Sequence, residues 1–134
     1  MSYQTVRGAL EAATATALSG AGVTRIHFDN VAHAQPDADQ IYAEISISFT
    51  DVKQDVVGCC GVNDIGGTIS VFIFTPANSG SASGEEIALQ VANDWAHLQE
   101  PRLRNFDGPR TVANPEGAVH QLFSLSAAFR GKID

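Results

Sequence analysis

The sequence predicts an α+β domain. Its expected architecture is a mixed, mainly antiparallel β-sheet with two helices packed on one face, in the order α-β-β-β-β-α-β-β. Three observations carry this reading. Two segments place apolar residues three and four apart, the helical period. Several others alternate apolar and polar residues, the strand period. Runs of strands interrupted by only two helices do not make repeated βαβ units, so the sheet is antiparallel or mixed and the helices share one side. The 134 residues show no internal repeat and no linker, so residues 1–134 are read as a single domain.

The first helix is read over residues 5–19. Thr5 is its candidate cap, Val6, Leu10, Ala13, Ala17 and Leu18 form a narrow apolar stripe, and Gly20 and Gly22 end it. Thr24 to Asp29 is a short strand with Ile26 and Phe28 on one face and Arg25, His27 and Asp29 on the other. A loop follows, closed by Pro36. Ile41 to Phe49 alternates throughout: Ile41, Ala43, Ile45, Ile47 and Phe49 oppose Tyr42, Glu44, Ser46 and Ser48. Asp51 to Gln54 reads as a turn, Asp55 to Gly61 as a weaker strand, and Asn63 to Gly67 as a further turn. Thr68 to Thr75 is apolar on both faces, which predicts a central strand covered by helix on one side and by something else, such as another subunit, on the other. In the second helix Ser83 or Gly84 is the candidate cap and Ile87, Val91, Trp95 and Leu98 repeat at helical spacing behind it, with Glu85 and Glu86 in the first turn, where negative charge suits the helix dipole. Arg102 to Arg110 reads as a basic loop, Thr111 to Pro115 as a short strand, and Ala118 to Phe129 as a long final strand.

Eight Lys and Arg against fifteen Asp and Glu leave a formal charge of −7. That sign excludes the broad basic face of a nucleic-acid binder and a polybasic membrane patch. No stretch reaches the ~18 apolar residues of a membrane span, and no apolar run marks a signal peptide behind the N-terminus. The expectation is a small, acidic, intracellular domain. The charge is unevenly distributed. Residues 31–99 hold nine acids and one base, a net −8, whereas residues 101–132 hold five bases and two acids, a net +3. Such a bipolar chain offers complementary surfaces to its own copies, although ordinary solvated scatter reads the same way.

Candidate chemistry is sparse. Cys59-Cys60 lacks the second Cys pair that a zinc knuckle or disulfide framework needs, and a vicinal disulfide is strained, so both read as plain thiols. His27-x-Asp29 with His33 falls short of a convergent metal set. The loop Gly80-Ser81-Ala82-Ser83-Gly84 precedes a helix, but the acids Glu85-Glu86 stand where a phosphate loop has Lys and Ser or Thr. No Gly-x-Ser-x-Gly elbow is present, and pairing of Cys59 or Cys60 with His120 has no signature around it. No enzyme, cofactor or metal is expected; a binding or assembly module is. The cluster Arg102, Arg104 and Arg110, with Phe106 among them, reads as partner contacts.

Three phrases carry a family resemblance. They are Ile26-His27-Phe28-Asp29-Asn30, the strand Gly67 to Thr75 closed by Pro76, and the small-residue loop Asn78 to Gly84 running into the helix Glu85 to Leu98, with the long strand Ala118 to Phe129 in support. In these the chain resembles the phage tail terminator family, also called tail completion or minor tail protein U-like proteins. Asn93-Asp94-Trp95, with its short helix end, departs from the family pattern. The resemblance implies a homohexameric ring that caps the tail tube, ends its polymerisation and meets the head-side connector. The implied partners are other copies, the tail tube protein and the connector, with the isolated chain compatible with a monomer. The implied location is the virion tail, assembled in the host cytoplasm. Joined to the charge split, it implies that Arg102, Arg104 and Arg110 face an acidic surface of the neighbouring copy or of the tube, with Asp37, Asp39, Asp51 and Asp55 as acidic counterparts. A different head–tail connector or tube-associated protein shares this logic, and a small ligand-binding domain or enzyme is the third reading.

Overall fold

A computed structural model describes residues 3–28, 40–54, 63–76, 82–99, 101–112 and 120–133, and the structural statements below concern those residues. The elements run α1 (Tyr3–Gly20), β1 (Arg25–Phe28), β2 (Tyr42–Gln54), β3 (Asn63–Pro76), α2 (Ala82–Ala96), β4 (Arg102–Val112) and β5 (His120–Ile133). The strands form one five-stranded sheet in the order β1-β2-β3-β5-β4. Only β1 and β2 are parallel; the other three pairings are antiparallel. The α+β class and the mixed sheet are those the sequence predicts, and the weaker strand read at Asp55 to Gly61 lies outside the described residues.

Three sequence readings need correction. Asp51 to Gln54 is not a turn but the end of β2, and Asn63 to Gly67 is not a turn but the start of β3; the two pair as far as Gln54 opposite Asn63. A β-bulge opens this stretch, in which Phe49 faces Gly67 and Asp51 faces Gly66, leaving Thr50 as the extra residue, and Val52 to Gln54 then pair regularly with Ile65 to Asn63. Arg102 to Arg110 is not a loop but most of strand β4.

Alternation sorts the sheet. Ala43, Ile45, Ile47, Ile69, Val71, Ile73, Phe123, Leu125, Ala127 and Phe129 are buried on one face. Both helices cover that face: Val6, Leu10, Ala17 and Leu18 of α1 and Ile87, Ala88, Val91 and Trp95 of α2 join the same core. Ile26 and Phe28 of β1 pack at its margin. Gly67 leaves space that the rings of Phe49 and Phe129 fill edge to face at 5.5 Å. A Cβ on Gly67 would collide with the Ser48 carbonyl and the Phe129 ring. Gly84 has the same role in α2, because a Cβ there would fall on the ring of Phe123. Its place in the first turn is thus set by helix–sheet packing rather than by capping.

Helix α1 ends as its glycines predict. Gly22 takes φ 94°, Val23 N–H donates to the Leu18 carbonyl at 2.9 Å, and Gly22 N–H donates to the Ser19 carbonyl at 3.1 Å. This 6→1 and 5→2 pattern is a Schellman cap with buried Val23 closing it. Thr14, a polar residue on the inner stripe, is fully buried and accepts a 2.9 Å hydrogen bond from the Trp95 indole N–H. It joins the two helices. Thr14→Val, of equal size but without the acceptor, is expected to lose about 1–3 kcal/mol of stability, the usual cost of stranding a buried donor. The exposed Thr16→Val, which gives up only a bond to the Ala12 carbonyl of its own helix, should lose far less. Urea unfolding of the two variants checks this, and equal losses would refute the joining role.

Candidate interaction surface

The face of the sheet turned away from the helices is the most distinctive surface. Cross-strand register arranges it in rows. Ser48, Thr68, Ala128 and Arg104 form one row; Ser46, Ser70, Ser126 and Asp107 the next; Glu44, Phe72, Ser124 and Arg110 the third; Tyr42, Phe74, Leu122 and Val112 the fourth. Ser46, Ser48 and Thr68 are exposed, and Ser70, Ser124, Ser126 and Ala128 are half-buried. The first two rows therefore carry short hydroxyl and methyl side chains from β2 to β5, and Phe72 stands beside them in the third.

One end of this face is aromatic. Tyr42 stacks on Phe74 with centroids 4.4 Å apart and rings 1° from parallel, while His120 meets Tyr42 edge-on at 5.1 Å and His27 lies 5.0 Å away. His120 Nε2 donates to the Gln40 carbonyl at 2.9 Å. Arg25 Nε donates to His27 Nε2 at 3.3 Å, and His27 Nδ1 lies 3.9 Å from a Glu44 carboxylate oxygen. His27 and His120 are both largely buried and held by these neighbours, a structural arrangement. No group of three metal-capable side chains occurs among the described residues, and Asp29, His33, Cys59 and Cys60 lie outside them.

The opposite margin is the edge strand β4, whose two bulges re-aim its side chains. Arg102 faces Arg130, Arg104 faces Ala128, Asp107 faces Ser126 and Arg110 faces Ser124. Each three-residue step against two partner residues inserts one residue. Asn105, in the first bulge, adopts φ 57°, and Gly108, in the second, adopts φ 115° with its Cα so close to β5 that a Cβ would lie 2.5 Å from the Ser124 carbonyl oxygen. Strict alternation would turn Phe106 outward and Asp107 toward the helices. The first bulge reverses both. Phe106, 40% exposed, lies 6.2 Å from Trp95, and Asp107 joins the arginines on the outer face.

Of the residues singled out from sequence, the structure brings Arg102, Arg104 and Arg110 together on this one margin, all exposed. They are not equivalent. Arg110 is held in a two-point contact with Asp107, at 2.7 and 2.9 Å. Arg102 and Arg104 have no acidic partner among the described residues. Asp51 stands opposite Gly66, in the row that continues through Arg130 to Arg102. Asp37, Asp39 and Asp55 lie outside the described residues. Sequence reading missed the serine platform as a surface. Its signal was present, because Ser46, Ser48, Ser70, Ser124 and Ser126 all hold the polar phase of alternating strands.

No protein-family model matches the sequence, and no curated protein matches it. Solved structures do share the fold. One, which carries no functional description, is 16% identical with a TM-score of 0.63, and the alignment covers 100% of this chain and 98% of that one. Another is a chain from the virion of a native gene transfer agent (GTA) particle, 22% identical with a TM-score of 0.55, covering 98% of this chain and 100% of that one.

The bulge geometry is open to test. A β-branched residue resists the left-handed conformation at a cost of roughly 1–2 kcal/mol, whereas Gly enters it freely. Asn105→Val should therefore lower the urea midpoint and Asn105→Gly should leave it nearly unchanged. Equal stability of both variants would show that the chain does not need φ 57° at this position.

Proposed function

We propose that this chain is a structural protein of a phage-like virion and, within it, a tail terminator. In this reading its copies form a homohexameric ring that caps the tail tube, ends tube growth and gives the head-side connector a surface to meet. The observation that carries the reading is the likeness in fold, end to end on both chains, to a component of a gene transfer agent virion. The phrases Ile26 to Asn30, Gly67 to Pro76 and Asn78 to Leu98, which resemble the terminator family, support its finer part.

The role is contact rather than turnover. A sheet face that neither helix covers, bordered by Arg102 and Arg104 with no acidic partner among the described residues, suits the burial of one protein surface on another. The partners in this reading are other copies of the chain, the tail tube protein and the connector, in a virion tail put together in the host cytoplasm.

Deleting the gene from a particle-producing strain and imaging the particles by electron microscopy tests the reading. Tails of uncontrolled length are expected. Particles with no tails would mark a tube component, and tails of normal length left unjoined to heads would mark a connector; either result overturns the terminator reading.

A further inference from the structure

We propose that the outward face of α2 on one copy docks on the outer sheet face of the next, with Glu85 and Glu86 meeting Arg102 and Arg104. This deepens the ring reading and rests on it. Helix α2 contains no Lys or Arg, and its acids Glu85, Glu86 and Asp94 are all exposed, with no ion pair to any of them among the described residues. Between them sits Leu89, at 57% exposed the most open large apolar side chain of the described residues. Spacings of three and four place Glu85, Glu86, Leu89 and Asn93 on one stripe. An exposed Leu flanked by unpaired acids is unfavourable against water alone and suits a partner that buries the one and neutralises the others.

The β4 margin of the outer sheet face is complementary in charge. Five strands ~4.8 Å apart make a platform roughly 20 Å across, wide enough for a helix of about 10–12 Å diameter. The short side chains of two of its rows, Ser48, Thr68 and Ala128 and Ser46, Ser70 and Ser126, let a helix approach closely, and Leu89 lies over them. Arg102 and Arg104, exposed at the margin and without an acidic partner among the described residues, supply the opposite charge. Arg110 is already neutralised by Asp107 and takes no part. The two surfaces lie on opposite layers of the molecule, so each contact joins unlike faces head to tail and closes only by rotation.

Complementary charge reversal tests this. The wild-type chain, Arg102→Glu/Arg104→Glu, Glu85→Lys/Glu86→Lys and the control Arg110→Glu are compared by light scattering over a concentration series, with negative-stain imaging of the product. All the substitutions are at exposed positions, and circular dichroism verifies the fold. The wild type and the control are expected to self-associate. Each double reversal should weaken association at least about tenfold, and an equimolar mixture of the two should restore it, because close charge pairs across an interface are strongly coupled. A wild type that stays monomeric, even with tail tube protein added, overturns both the docking and the ring. A wild type that assembles while either double reversal assembles equally well overturns the docking alone, as does a mixture that fails to recover. Binding of duplex DNA through Arg102 and Arg104 in place of self-association also overturns it.

Discussion

The unbroken pairing of β3 with β5 governs the rest of the molecule. The two strands run antiparallel from Asn63 opposite Ile133 to Pro76 opposite His120 without one register shift. Because side chains alternate, that single register decides which residues meet the helices. A slip of one position would exchange Val71, Ile73, Phe123 and Leu125 for Ser70, Phe72, Ser124 and Ser126. The outer strands carry the irregularities instead. Strand β2 absorbs one extra residue at Thr50 and β4 absorbs two. The rigid centre thus fixes the faces, and the margins adjust to it.

Packing of the helices follows from the same register. Phe123 projects toward α2, and the missing Cβ of Gly84 gives its ring room. That contact fixes where α2 begins on the sheet. Further along, Trp95 is buried against the sheet and binds Thr14, which fixes α1 against α2. Arg7 adds a tie from α1 to the sheet: its guanidinium donates to the Ile47 carbonyl at 3.2 Å and lies 5.3 Å over the Phe49 ring. The sum is a two-layer molecule with a deeply apolar interface and a second sheet face that the helices do not reach.

Residues that obey one period over a long stretch made most of this fold legible. The strand readings at Ile41 to Phe49, Thr68 to Thr75 and Ala118 to Phe129 hold over residues 42–49, 68–75 and 120–129, because each side chain there repeats the same message. The helix stripes read correctly because Val6, Leu10, Ile87, Val91 and Trp95 have only one face to bury. Reading failed where tertiary pairing overrode local signals. Asp51 to Gln54 and Asn63 to Gly67 contain turn-forming residues, yet each segment becomes strand because the other stands opposite it. The site was partly legible: the arginine cluster was visible, but its geometry was not. Arg102-Leu103-Arg104 alternates correctly, and then Asn105 and Gly108 each shift the phase, so no fixed period could place Phe106 or Asp107. The positions of Asn105 and Gly108 are explicable only once Ser124 and Ser126 stand opposite β4.

Both edges of the sheet bear on how copies can meet. An exposed strand edge is a template for indiscriminate pairing unless something blunts it. Here β1 is only four residues long. At the other edge, β4 is broken by two bulges and studded with arginines, so its backbone offers no long regular ladder to a neighbour. Edge-to-edge growth along β4 is therefore disfavoured, whichever strand a second copy presents; at the other margin β1 pairs with residues 42–45 of β2. On the broad faces, the sheet face is bordered by Arg102 and Arg104, with no acidic partner among the described residues, while α2 displays Glu85, Glu86 and Asp94, with no ion pair among the described residues. The same bulges that spoil the edge as a template also turn Asp107 onto Arg110, so the residual charge at this margin is concentrated on Arg102 and Arg104. Blunting the β4 edge and localising the charge are thus one structural device, the one on which the proposed face-to-face docking draws.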